Sequence, residues 1–161
     1  MTSRLLQGVA LALLLGTSPA LALTPHEAEA VVSVMEVLAV DMGEGMSADA
    51  ASIFYDYDTL GANLITEAGF DRAGWIEAYE AVAAAYMATI PQDAFDAVFE
   101  EPLAMLEASQ LPDDQKAAMR AHVNGLIAEA QAVRQSGMVH ADVVRPLEAR
   151  LYPLFFDAFG E

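Results

Sequence analysis

The sequence contains no cysteine, which excludes disulfides, thiolate-bound metal sites and covalent haem attachment through a C-x-x-C-H motif. Basic residues are also scarce. Seven lysines and arginines stand against 24 aspartates and glutamates, which gives a formal net charge of −17. A surface this acidic repels phosphate groups, so nucleic acids and anionic membranes are poor partners for the chain.

Long hydrophobic runs are missing apart from one near the N-terminus. Arg4 precedes an apolar run over residues 5–15, which is followed by a short break and by small residues. The run is shorter than the roughly 20 residues that a membrane span needs. This layout predicts that residues 1–22 are a signal peptide, cleaved after Ala22, and that the protein is periplasmic or secreted. The remaining residues, 23–161, have a usual length for a single helical domain.

Strand-type alternation of apolar and polar residues is not sustained anywhere in the chain. Apolar residues recur instead at steps of three and four, the period of an α-helix. We therefore predict an all-α fold, a small up-and-down helical bundle of five to six helices after the signal peptide. Each predicted helix has one apolar stripe, so the helices must pack on one another to be stable in water.

Two helix starts have specific local signatures. Thr24 and Glu27 have the spacing of a capping box around a proline at the first helical position. Phe70 and Trp75 flank Asp71 as a hydrophobic staple flanks its N-cap residue. These patterns predict where the first and third helices begin.

Glycines and prolines mark the predicted ends and irregularities of the helices. Gly43 and Gly137 each follow an apolar stripe, which predicts a helix end. Pro102 predicts a bend or an interruption in the fourth helix. Pro146 and Pro153 lie within the last apolar pattern and predict a helix that is kinked or restarted twice.

Sequence signatures of catalysis are missing. The chain has no thiol nucleophile, no G-x-S-x-G element and no glycine-rich phosphate loop. We therefore predict that the protein is not an enzyme, and we assign it no cofactor.

One segment resembles the spacing of a calcium-binding loop. Asp56, Asp58, Gly61 and Glu67 fall on loop positions one, three, six and twelve. Leu60 occupies position five, where an oxygen ligand belongs, and a predicted helical stripe from Ile53 through Tyr57 to Leu64 runs across the segment. Asp56, Asp58 and Glu67 are candidate metal ligands, although a helix followed by a tight bend also explains the pattern.

Methionine and histidine side chains are a second set of candidate ligands, either for a metal ion or for haem that is not covalently attached. The residues in question are Met35, Met42, Met46, His26, His122 and His140. Core packing explains the methionines on the apolar stripe equally well.

The C-terminal segment is rich in aromatic side chains. Tyr152, Phe155, Phe156 and Phe159 are candidates for contact with a partner, because consecutive phenylalanines cannot both face one core stripe. Docking of this segment into the bundle is the alternative. We predict an exported, acidic, non-catalytic binding or interaction protein whose partner is another exported protein. A periplasmic helical bundle that binds a metal or a small ligand is the second interpretation.

Overall fold

The computed structural model describes residues 23–43, 47 and 50–155. The predicted signal peptide, Met46, Phe156 and Phe159 lie outside the described residues. Every regular element of the described part is helical, which confirms the all-α prediction and a helical-bundle fold. None of these helices combines the length and the apolar character needed to cross a membrane.

Eight α-helices occur in the described ranges, and six of them have at least eight residues. Their bounds are α1 Pro25–Met42, α2 Ala51–Asp58, α3 Leu64–Glu67, α4 Arg72–Thr89, α5 Gln92–Ala108, α6 Asp113–Gly137, α7 Ala141–Val144 and α8 Glu148–Phe155. Short 3₁₀ turns, Met138–His140 and Arg145–Leu147, connect α6, α7 and α8. The last predicted helix is thus divided at Pro146, as expected from the proline.

The helix starts predicted from local spacing are present. Thr24 Oγ1 accepts a hydrogen bond from the Glu27 backbone N–H at 3.2 Å, and Glu27 Oε2 accepts one from the Thr24 N–H at 2.9 Å. At α4, Asp71 Oδ1 accepts from the N–H of Gly74 at 2.8 Å. The Phe70 and Trp75 rings lie 6.1 Å apart edge to face, which completes the predicted staple.

Helix α4 lies at the centre of the core and packs on α1, α2, α6, α7 and α8. Its side chains Trp75, Tyr79 and Val82 are fully buried. The polar atoms of the two aromatics are satisfied: Trp75 Nε1 donates to the carbonyl of Ala51 at 2.9 Å, and the Tyr79 hydroxyl donates to the carbonyl of Ser47 at 2.6 Å. These bonds join α4 to α2 and to the segment before it.

An arginine joins the last helix to the first. Arg150 on α8 donates from Nε and Nη2 to the two carboxylate oxygens of Glu36 at 2.8 and 2.7 Å. It also pairs with Glu29 and donates to Ser33 Oγ at 3.1 Å. The hydrogen bonds from Arg150 lower the pKa of Glu36. The polar side of α1 is therefore a docking surface for α8.

Helix α6 ends at Gly137, as predicted, although Gly137 has φ −72° and is followed by a 3₁₀ turn. The structure corrects two details of the sequence interpretation. Helix α5 continues through Pro102 and α8 continues through Pro153, so neither proline interrupts its helix. Ile53 and Tyr57 of the predicted α2 stripe are 61% and 42% exposed, so they do not belong to the core.

The α5–α6 hairpin, residues 92–137, buries few of its apolar side chains. Phe95 and Leu106 are its buried hydrophobic residues. Met105, Met119 and Leu126, by contrast, are between 47% and 61% exposed. The distal part of the hairpin consequently has a thin core and a partly apolar surface.

Candidate functional site

A cleft of about 840 Å³ opens between the C-terminal half of α4, the first turns of α5 and α8. Its volume lies within the roughly 300–1,000 Å³ that is typical of small-molecule sites. The lining is mainly aliphatic and aromatic, and it includes Met87, Ile90, Phe95, Val98, Tyr152 and Phe155. We call this feature the apolar cleft.

The turn between α4 and α5 keeps the cleft open. Helix α4 ends at Thr89, and Ile90 has an extended backbone with φ −65° and ψ 127°. Pro91 follows, and the residue before a proline is driven away from the helical conformation. Helix α5 then packs mainly on α6 instead of α4. The apolar side chains at the end of α4 and the start of α5 therefore border a common space.

Helix α8 forms the opposite side of the cleft. Leu151 and Leu154 are buried and fix this helix on the core. Phe155 stacks on Tyr86 of α4, with ring centroids 5.5 Å apart and an interplanar angle of 22°. Tyr152 stays 54% exposed at the cleft. The two aromatic residues thus border the cleft from a helix that is firmly packed.

Arg134 of α6 supports the cleft from behind. Its guanidinium carbon lies 4.5 Å from the centroid of the Phe95 ring, a cation–π geometry. Its Nη2 donates to the carbonyl of Ile90 at 2.8 Å, at the turn after α4. Nη1 is buried and has no hydrogen-bond partner among the described residues. Arg134 therefore holds Phe95 and the α4–α5 turn in place.

Glu148, the first residue of α8, brings charge into this apolar surrounding. Its Oε1 is buried without a hydrogen-bond partner in the described part of the chain. The nearest cation is Arg145 Nη1, 3.9 Å from Oε1, which is an ion-pair distance but too long for a hydrogen bond. Burial, then the charges of Glu148 and Tyr152, raise the pKa of Tyr86 to about 12. Glu148 thus gives the cleft a negative charge.

Two of the four aromatic residues predicted to contact a partner lie at this cleft. Tyr152 and Phe155 both line it, whereas Phe156 and Phe159 are outside the described residues. Phe155 also packs on Tyr86, so docking into the bundle and bordering a cleft are both roles of this segment. Contact with a partner through these residues stays a prediction.

Sequence reasoning did not recognise Glu148 or the residues of α4 and α5 as parts of one site. Ile90 and Phe95 carry the pattern of core positions, and only the break at Pro91 between them signals a change of direction. The spacing of residues cannot show that α5 pairs with α6 instead of α4. The cleft therefore becomes visible only in the packed arrangement.

The candidate calcium ligand Asp58 has a structural role. Its side chain is 2% exposed. The two carboxylate oxygens accept hydrogen bonds from the backbone N–H groups of Leu64 and Ile65, each at 2.9 Å. Both oxygens are thus used to hold the start of α3 against the end of α2.

The other two candidate metal ligands, Asp56 and Glu67, lie in different surroundings. Asp56 pairs with Arg72, whose Nη2 donates to Oδ2 at 3.1 Å, and this hydrogen bonding lowers the pKa of Asp56. Glu67 is exposed on α3. Within the ranges that the structure describes, no group of three or more histidine or carboxylate side chains is placed to hold a metal ion. Metal binding by these residues rests on sequence spacing alone.

The methionine and histidine candidates are also spread over the fold. Met35 is fully buried in the core, and Met42 packs against it from the end of α1. His122 is exposed on α6, and His26 lies in the first turn of α1. This distribution is that of core packing and surface placement.

No protein-family model matches the chain, and neither does any curated protein or solved structure. The function of the protein is therefore inferred from the geometry and the chemistry of the apolar cleft.

Proposed function

We propose that this protein is a non-catalytic binding protein that takes a small, largely apolar molecule into the apolar cleft. The observation on which this proposal depends is the cleft itself, about 840 Å³ of mainly hydrophobic lining with few polar groups. Ligand sites in proteins have this size and this composition, because apolar lining supplies affinity and a few polar groups supply orientation.

The residues at the cleft can adapt to ligands of different shapes. Met87 contributes a flexible thioether side chain, which adapts to irregular surfaces. Val98 is 61% exposed and Tyr152 is 54% exposed, so both have contact area left for a ligand. Burial of such surface contributes roughly 25 cal/mol per Å² before the costs of association are subtracted.

Export belongs to the same proposal. The signal-like residues 1–22 would direct the chain to the periplasm or the medium, where cleavage after Ala22 leaves six basic and 24 acidic residues. The excess of carboxylates favours solubility and discourages self-association of a protein with an exposed apolar cleft.

A protein partner is the second candidate occupant. Tyr152 and Phe155 lie at the cleft edge, where an inserted side chain of another exported protein would contact them. The concave shape and the volume of about 840 Å³ favour a small ligand, because a flat aromatic patch would suffice for contact with a protein surface.

The test is binding of N-phenyl-1-naphthylamine, an uncharged apolar dye whose fluorescence rises in apolar surroundings. We expect saturable binding to the chain without residues 1–22. Ala149 is exposed and lines the cleft, so Ala149→Trp fills the space without disturbing the core. We expect this variant to bind the dye at least about tenfold more weakly, a loss of roughly 1.4 kcal/mol.

Ala117→Trp is the matched control. Ala117 is exposed on α6 and does not line the cleft, so the substitution adds the same ring elsewhere. Dye affinity should stay at the wild-type value. Equal affinity for the wild type and Ala149→Trp, or the absence of saturable binding, would contradict the proposed function.

A further inference from the structure

Glu148 is the one formally charged residue among the described residues that line the apolar cleft. Its side chain is 41% exposed, so it can be reached, while Oε1 is turned inward. The other polar side chains of the lining are the hydroxyls of Thr89, Tyr86 and Tyr152. Any ionic recognition of a ligand within this cleft therefore depends on Glu148.

The hydrogen-bonding capacity of this carboxylate is underused. A carboxylate accepts hydrogen bonds at both oxygens, yet Oε1 has no partner among the described residues. A buried acceptor without a partner has a free-energy cost that a donor supplied by a ligand would remove. The last side-chain torsion of glutamate is broad, so the carboxylate can turn toward a donor in the cleft without a change of rotamer.

Neither Arg145 nor Arg134 donates a hydrogen bond to Glu148 Oε1. Arg145 Nη1 is 3.9 Å from Oε1, and the same guanidinium also pairs through Nη2 with Asp142 Oδ1 at 3.6 Å. Arg134 does not line the cleft, since its guanidinium is buried beside the Phe95 ring. A carboxylate ligand would therefore meet Glu148 before it met an available cation.

On the basis of the proposed function, we infer that the ligand is an amphiphilic amine: an apolar body in the cleft and a protonated amino group that donates to the Glu148 carboxylate. The apolar lining matches the body, and the charge of Glu148 matches the head. The ring of Tyr152, which is 54% exposed at the cleft, adds an aromatic surface that attracts a cation. The net charge of −17 adds a long-range attraction for cations and disfavours anionic ligands.

Three ligands with the same decyl chain distinguish the head groups. Decylamine, decanol and decanoate compete with N-phenyl-1-naphthylamine at pH 7 and micromolar concentrations, in 150 mM salt that screens surface attraction. We expect decylamine to displace the dye at about tenfold lower concentration than decanol, as a charge-assisted hydrogen bond implies. Decanoate should be the weakest competitor.

Two variants assign this preference to one side chain. Glu148→Gln keeps the shape and removes the charge, and we expect it to abolish the preference for the amine over the alcohol. Asp142→Asn removes one charge from the other partner of Arg145, outside the cleft, and should leave the preference intact. Thermal melting checks that both variants are folded.

The outcomes separate the two proposals. Saturable dye binding with equal displacement by amine and alcohol overturns the amine inference and leaves the proposed function standing. Stronger displacement by decanoate overturns it in favour of an anionic ligand. Equal loss of the preference in Asp142→Asn overturns the role of Glu148. A dye that does not bind overturns the proposed function itself.

Discussion

The carboxylate of Asp58 is buried at the turn between α2 and α3, where it accepts hydrogen bonds from two consecutive backbone N–H groups. Backbone donors buried at a helix start must find acceptors, and a nearby aspartate supplies them. The preceding turn contains Asn63 with φ 57°, the left-handed conformation, which brings the chain back toward Asp58. Asp58 is thus a structural residue of this turn.

Removal of the Asp58 side chain should destabilise the protein. We expect Asp58→Ala to lower the free energy of unfolding by about 1–3 kcal/mol, because the N–H groups of Leu64 and Ile65 lose their acceptor inside the fold. Urea unfolding followed by circular dichroism measures this loss.

Asp56→Ala is the control, since Asp56 was the neighbouring candidate for calcium and its ion pair with Arg72 is on the surface. Its effect should be clearly smaller. An Asp58→Ala variant as stable as the wild type would refute the structural role. A rise of the wild-type melting temperature with Ca²⁺ that disappears in Asp58→Ala would support the calcium hypothesis.

Short-range patterns predicted the roles of single residues well. The capping residues Thr24, Glu27 and Asp71 act on backbone groups three positions away, so their spacing fixes their role. Asp58 accepts hydrogen bonds from N–H groups six and seven positions away. The same spacing also suits a metal loop, so the sequence alone could not show that Asp58 accepts these hydrogen bonds.

At the scale of elements, the contact between α4 and α6 depends on Gly137. A Cβ atom at this position would lie 2.0 Å from the carbonyl oxygen of Ala84 and 2.6 Å from the backbone nitrogen of Ala85. These atoms belong to the backbone of α4 and cannot move aside as a side chain would. Gly137 therefore permits the close approach of the two helices.

We predict that Gly137→Ala lowers the free energy of unfolding by about 3 kcal/mol, because α6 must move away from α4. Gly125→Ala is the matched control within the same helix. Gly125 is exposed and a Cβ there meets nothing within 4 Å, so this variant should gain about 0.5–1 kcal/mol from helix propensity.

Chemical denaturation of both variants beside the wild type gives the comparison. Opposite signs of the two changes are expected. Stabilisation by both alanines would show that α6 does not approach α4 as closely as the structure has it.

The existence of the helices followed from the sequence, whereas their partners did not. The stripe of α4 predicts Trp75, Tyr79 and Val82 as core residues, and all three are buried. The stripe of α6 has the same period, yet Met119 and Leu126 are 49% and 47% exposed. Periodicity shows which side of a helix is apolar and does not show whether another element covers it. The predicted up-and-down order of the helices stays a prediction for the same reason.

At the scale of the whole molecule, the core of α1, α2, α4, α7 and α8 supports one apolar cleft beside a less buried hairpin. The cleft arises because the chain turns at Pro91 and α5 pairs with α6. The spacing of apolar residues predicted the class of fold. The cleft depends on contacts between residues that are far apart in sequence, such as Phe95 with Arg134, so local patterns could not reveal it.

Apolar molecules should bind in this cleft and not on the exposed apolar surface of the hairpin. Titration of ¹⁵N-labelled protein with N-phenyl-1-naphthylamine, followed through backbone amide chemical shifts, distinguishes the two locations. We expect saturable shifts concentrated at Tyr86, Ile90, Phe95 and Tyr152. Shifts concentrated at Met105, Met119 and Leu126, or the absence of saturable shifts, would contradict it.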